Sequence, residues 1–283
     1  HDLARRQRQM CIRDSLDIDN LKLDDEKTFK LFAEGKMTGV FQLESRVAQS
    51  TSRSLKPKRF EDIVALVALI RPGPLGAGMH NEFADRANNR KEIEYLHSDL
   101  ESILNETYGV ILYQEQVMQI AEKIAGFNLQ EADNLLVARG KKIPKVMEEQ
   151  RKKFTDGAVS NNYSEQFAIE LFDQIAYFAG YGFNKSHSVP YALLAYQTAY
   201  LKANYPAEYI AACLTAVKRD KDRTAIFLSE ARDMGVKVST PDVNLSSSDF
   251  TVNDNEILFG LSAVRNVGDI TADKIVLERE SNG

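Results

Sequence analysis

"FAGYGFNKSHSVPYALLAYQTAYLKANYPAEY", from Phe178 to Tyr209, joins two different patterns. Its later part has helical spacing, with Tyr191, Leu194, Ala195, Thr198 and Leu201 on one side. Asn204 ends that pattern, and Pro206 suits the first turn of a following helix. The earlier part sets aromatics, glycines, Asn184, Lys185 and His187 side by side, a mixture that packing alone rarely needs. Tyr181 and Phe183 can stack on a base or cover a sugar, Lys185 can meet phosphate, and His187 can donate to it. A satisfied polar turn with its rings in the core fits the same letters.

Working outward, the rest is mostly helical. Asp24 or Asp25 can cap a short helix with Phe29, Leu31 and Phe32 inward, closed by Gly35. "GVFQLES" from Gly39 reads as a short strand or extended turn. "FEDIVALVALI", Phe60 to Ile70, is apolar nearly all round, hence a buried helix, stopped by the rigid prolines of "RPGPLGAG" with Arg71 at the entry. "YGVILYQEQVMQIAEKIAGF" starts like a strand and becomes a helix with Val117, Ile120, Ala121 and Ile124 on one face. "SEQFAIELFDQIAYFAG" repeats the design, with Ser164 as N-cap and Phe167, Leu171, Phe172 and Ile175 inward. Beyond Asp220, a helix around "TAIFLSEARDMG" precedes the strand-like pieces "VKVST", "DFTVN" and "EILFGL". The expected fold is mainly α, with a smaller α/β segment at the C-terminal end.

The first fifteen residues, "HDLARRQRQMCIRDS", are basic and unpatterned. We read them as a foreign segment, with a disordered basic arm as the alternative, and leave them out of the fold.

Composition narrows the function. With 36 Lys and Arg against 41 Asp and Glu, the net charge is −5, so nucleic-acid binding must come from local basic patches on an acidic body. No apolar run approaches the roughly 20 residues that span a bilayer. Two cysteines are too few for a disulfide framework or a thiolate metal site, and a reducing cytoplasm is the expected location. His80 and His97 stand singly, without metal spacing, and no phosphate-binding loop or dinucleotide fingerprint is present.

Three basic clusters remain: Arg53, Lys56, Lys58 and Arg59 in "RSLKPKR"; Arg139, Lys141, Lys142 and Lys145 in "ARGKKIPK"; and Lys185 with His187. Such clusters can hold a triphosphate or a nucleic-acid backbone, and Gly140 would let a ligand approach the main chain. A solvated charged face is the plain alternative. "LYQEQ" reads as a helix cap and surface, its glutamate complementing the helix dipole. In "GLSAVRNVGDITADKIVLER", Val264 and Val267 precede Gly268, and Ile270, Ala272, Ile275 and Val276 form a helical stripe. A glycine turn there could offer backbone N–H groups to a DNA phosphate, although many helix hairpins carry such a glycine.

"GVFQLES", "KPKRFEDIVALVALIRPGPL", "ETYGVILYQEQVMQIAEKIAGF", the Phe178–Tyr209 stretch and "FGLSAVRNVG" together resemble the C-family replicative DNA polymerases, the alpha subunits of bacterial DNA polymerase III. The similarity runs from about Ile18 to the end. It implies a palm-to-fingers junction over 16–59, a helical fingers domain over 60–218, and over 219–283 a small α/β segment leading into a helix-hairpin-helix region. It implies that Arg139, Lys141, Lys142, Tyr181, Lys185 and His187 bind an incoming deoxynucleotide. Primer-template DNA would meet Arg53, Lys56, Lys58, Arg71, Arg265, Gly268 and Lys274.

In the intact enzyme the resemblance implies attack of a primer 3′-hydroxyl on the nucleotide's α-phosphate. Two Mg²⁺ ions would be held by palm aspartates that lie upstream of this region, so the chain alone is expected to be inactive. A sliding clamp and other replicase subunits would be its partners. One departure stands out: Leu136 and Val137 precede "ARGKK", where family members usually carry two basic residues. A stand-alone helical nucleic-acid-binding module without catalysis is the alternative.

Overall fold

The computed structural model describes residues 16–140, 144–179 and 182–282. Helices dominate, and among the described residues the one sheet is a two-stranded antiparallel ribbon, Thr251–Asn253 with Glu256–Leu258. The chain divides into two compact units. One comprises Phe32–Gly35 and Ser45–Ala195; the other comprises the described part of His1–Leu31, with Lys36–Glu44 and Tyr196–Gly283.

The first unit is built around the helix Gln114–Ala125. Val117, Ile120, Ala121 and Ile124 are fully buried, as their spacing requires. They pack in one cluster with Ala132 and Leu135 of Leu129–Gly140, Phe154 and Ala158 of Pro144–Ser160, and Leu171, Phe172 and Ile175 of Glu165–Ala179. Phe167 packs only at the edge of that cluster. Ser164 Oγ accepts from the Phe167 N–H at 3.2 Å, capping its helix as expected.

Phe60–Leu69 is buried from Asp62 to Leu69, but the proline stretch does more than stop it. Pro72 lies at the first position of a new short helix, Pro72–Gly76, because a missing N–H costs nothing there. "YGVIL" forms no strand. The segment contributes a single bridge, Tyr113 to Phe183, with Phe183 N donating to Leu112 O at 3.1 Å and Gln114 N to Phe183 O at 3.0 Å.

In the second unit, Asp25 Oδ2 caps its helix by accepting from Thr28 N at 2.8 Å. "GVFQLES" opens as a turn, with Gln42 at φ 62°, rather than a strand. Pro206 begins the helix Pro206–Val217, which packs on Phe227, Phe250 and Ile257. "VKVST" yields only the bridge Val238 to Ile257.

The stripe expected on Lys185–Asn204 needs correcting. Leu194 is 46% exposed, whereas Ala192, Ala195, Tyr196, Ala199 and Lys202 are fully buried. The buried face is thus rotated from the expected one and takes small residues together with Tyr196 and Lys202, whose polar ends are hydrogen-bonded inside. Ile270, expected within the stripe of the last helix, is also exposed; of that group Ala272 is buried.

Candidate functional site

The first unit gathers cations and rings around the start of the Lys185–Asn204 helix. Asn184 Oδ1 accepts from the His187 N–H at 2.9 Å, and the Glu115 carboxylate accepts from the Lys185 N–H at 3.0 Å. Side chains thereby satisfy the Lys185 N–H and share the His187 N–H with the Asn184 carbonyl, which it also meets at 3.2 Å. "LYQEQ" therefore caps a second helix as well as its own. Gln116 is buried rather than on the surface: its Oε1 accepts from Leu112 and Tyr113 N–H groups, and its Nε2 donates to Thr107 Oγ1.

Phe183 is half-buried and carries the Arg71 guanidinium over its face, 4.6 Å from the ring centre. The exposed His187 ring meets Phe183 edge-on at 5.5 Å and lies 4.5 Å from Tyr191. Arg71, expected on DNA, and His187, expected on nucleotide, thus share one patch. Lys185 adjoins it. Its Nζ lies 5.6 Å from the Tyr113 ring centre and donates to both Glu106 oxygens, at 2.7 and 2.8 Å. Burial, with the Glu106 and Glu115 carboxylates, pushes the Tyr113 phenol far above its usual range.

Behind Glu106 lies a network that the residue pattern alone does not reveal. The buried Asp62 carboxylate accepts from the Lys58 and Arg59 N–H groups, Arg59 Nε and Tyr108 OH. Arg59 Nη2 donates to Glu106 O at 2.6 Å, and its guanidinium lies over Tyr108. Burial and the adjacent Asp62 raise the Tyr108 phenol to about 12. Arg59 is therefore a structural cation. The one available signal is Asp62 at the third position of its helix, a capping placement.

Tyr181, Lys141 and Lys142 lie outside the described residues, as do the side chains of Arg139 and Lys145. Leu136 packs partly against the core, and Val137 is 45% exposed. Arg53, Lys56 and Lys58 are exposed; Lys56 closes its helix in the left-handed region at φ 52°.

The second unit carries the remaining candidates. Arg265, Gly268 and Lys274 are exposed. The left-handed residue of that turn is Asn266, φ 67°, and not Gly268. A Cβ added at Gly268 would meet nothing within 4 Å, so neither conformation nor packing demands glycine there. Asp269 begins the final helix, Asp269–Asn282, and pairs with Lys218 and Arg219 at 2.6 Å each. Hydrogen bonds from Lys218 and then Arg219 pull its carboxyl down to about 2. Lys218 also donates to Asp249 and to Ser262 Oγ.

Among the described residues no three His, Cys, Asp or Glu side chains converge to hold a metal ion. No helix among them is long and apolar enough to cross a membrane.

Fold and patch define a mainly helical protein with cations and rings gathered at one helix start and a separate terminal turn and helix. A model of the bacterial DNA polymerase III alpha subunit finger domain matches residues 2–162, and a helix-hairpin-helix motif matches residues 235–283. The chain belongs to the bacterial DNA polymerase III alpha subunit finger-domain family. It is 49% identical over 272 residues to DNA polymerase III subunit alpha of Saccharopolyspora erythraea, covering 95% of this chain and 23% of the relative. The Thermus aquaticus subunit is 49% identical over 274 residues, with 95% and 22% covered. That of Escherichia coli is 46% identical over 274 residues, with 95% and 24% covered. The chain thus spans under a quarter of the length of these curated relatives.

Proposed function

We propose that this chain supplies the nucleotide- and DNA-engaging surface of a template-directed DNA polymerase. The observation that carries the reading is the patch at the start of the Lys185–Asn204 helix, where Arg71, Phe183 and His187 meet and the Lys185 ammonium lies over Tyr113 and on Glu106. A flat ring flanked by cations suits a nucleoside triphosphate: the ring can take a base or sugar face, and the cations can take phosphate oxygens.

Lys185 and His187 are assigned to phosphates, and Tyr181 to the sugar or base. Arg139, Lys141 and Lys142 are assigned to the nucleotide's phosphates as well. Arg53, Lys56, Lys58 and Arg71 are assigned to the primer-template backbone in the first unit, and Arg265, Gly268 and Lys274 in the second. The open space around Gly268 supports close approach of a phosphate to the main chain.

Mg²⁺ belongs to the polymerase reading, but among the described residues no carboxylate cluster fits it. What these side chains can do is bind, orient and exclude water from the nucleotide. Clamp and other replicase subunits are proposed partners, and the buried free thiol of Cys213 agrees with a reducing cytoplasm.

Titration of the chain with labelled primer-template and deoxynucleoside triphosphate tests the reading. Lys185→Ala and His187→Ala should each weaken nucleotide binding by roughly 10- to 150-fold, the range of a lost charge-assisted hydrogen bond. DNA affinity should fall steeply with salt. Unchanged nucleotide affinity in both variants would overturn the assignment.

A further inference from the structure

Lys185 is not a free cation in this structure. Both oxygens of Glu106 take its ammonium, with the two side chains 35% and 30% exposed. A phosphate cannot use the same donors without competing for them.

The two carboxylates near this lysine differ in what they hold. Glu115 accepts from backbone N–H groups of Lys185 and Ser186, which need a partner whatever else binds. Glu106 holds only the tip of a long flexible side chain. Its own backbone is pinned: its carbonyl accepts from Arg59 Nη2, and the next residue, Thr107, is buried with its hydroxyl on Leu104 O and Val110 O. Glu106 is anchored at its backbone on a short side chain, whereas the Lys185 ammonium ends a longer four-carbon arm, so the ammonium has the wider reach toward a competing anion.

Resting on the nucleotide reading above, we propose that Glu106 is an internal counter-ion, displaced from Lys185 when a deoxynucleoside triphosphate binds. Glu106 would thereby act as a specificity-determining residue. A weakly charged anion does not outcompete a carboxylate in two-oxygen contact, whereas a triphosphate offers several oxygens and several charges at once. The pair is partly in solvent, so its disruption is modest in cost and the exchange remains reversible.

The test is titration of the 283-residue chain and its variants with dATP in the presence of primer-template DNA. Glu106→Gln, which removes the competing charge at the same size, should bind dATP about twofold to fivefold more tightly. Glu106→Ala must move the same way, and thermal melting of each variant checks that it folds. Lys185→Met should weaken binding, and adding Glu106→Gln to it should restore nothing, because no ammonium remains to be released. Unchanged or weaker binding in both Glu106 variants, with Lys185→Met still impaired, overturns the exchange and leaves the nucleotide reading standing. Lys185→Met that binds like the parent, or a parent chain that binds no dATP, overturns both.

Discussion

Lys185 and Lys202 stand at opposite ends of one helix, and the chain uses them in opposite ways. Lys202 is fully buried, and its ammonium donates to Lys36 O, Thr38 O and Glu230 Oε1 at 2.6–2.8 Å. Burial lowers its pKa, only partly offset by Glu230. Lys185 is one-third exposed, and among the described residues its ammonium donates to one carboxylate, beside an aromatic face. A buried ammonium with all three protons assigned to fixed acceptors is a structural bolt. A partly exposed one with an exchangeable partner suits the binding role proposed for Lys185. Identical chemistry diverges because of the surroundings.

The sharpest way to break this contrast is Lys202→Ala. It strands Glu230 and two carbonyls in the interior and should cost about 3–5 kcal/mol, read by denaturant unfolding. A loss under about 1 kcal/mol, the size of an exposed pair, would show that Lys202 is no bolt.

Lys218 sharpens the contrast from between, being 16% exposed with Asp249, Asp269 and Ser262 as partners. Lys218→Ala should cost roughly 1–2 kcal/mol, since its carboxylate partners can turn to water. The same pair fixes a pH window. Asp269 titrates near 2 when folded, against an ordinary 3.8. Its contribution is therefore complete above about pH 4 and fades as pH falls toward 2. Asp269→Asn should flatten that part of the acid-stability curve, and an unchanged acid limb would show that the pair does not set it.

The smallest expected effect on stability is Lys185→Met, under about 1 kcal/mol by chemical unfolding, because a partly solvated ion pair contributes little. A loss as large as that of Lys202→Ala would make Lys185 a second bolt and undo its assignment as a binding group.

Much of this is legible in the sequence. Faces such as Val117–Ile120–Ile124 follow from periodicity, and caps such as Asp25 and Ser164 follow from the chemistry of unpaired N–H groups. Arg71, Lys185 and His187 stand out by residue type beside glycines, prolines and rings, and the fold places them at one helix start. What is illegible depends on distant partners. Nothing in "AYLKANY" marks Lys202 as buried, because its carbonyl acceptors lie 166 and 164 residues earlier and its carboxylate partner on a later helix. Leu194 reads as inward by its apolarity, yet the buried face runs through Ala192, Ala195, Tyr196, Ala199 and Lys202, the polar ends of the two large ones being hydrogen-bonded to distant residues. Glu115 reads as a helix cap and surface charge, and nothing in the sequence singles out Glu106, until the fold sets both against the same lysine.

The triphosphate site proposed at the start of the Lys185–Asn204 helix is tested by photocrosslinking. The probe is 8-azido-dATP on the primer-template-bound chain, with adducts mapped by mass spectrometry. Adducts are expected within residues 178–191, suppressed by excess unlabelled deoxynucleotide. Competable adducts confined to the other unit, around residues 205–233, would contradict that placement.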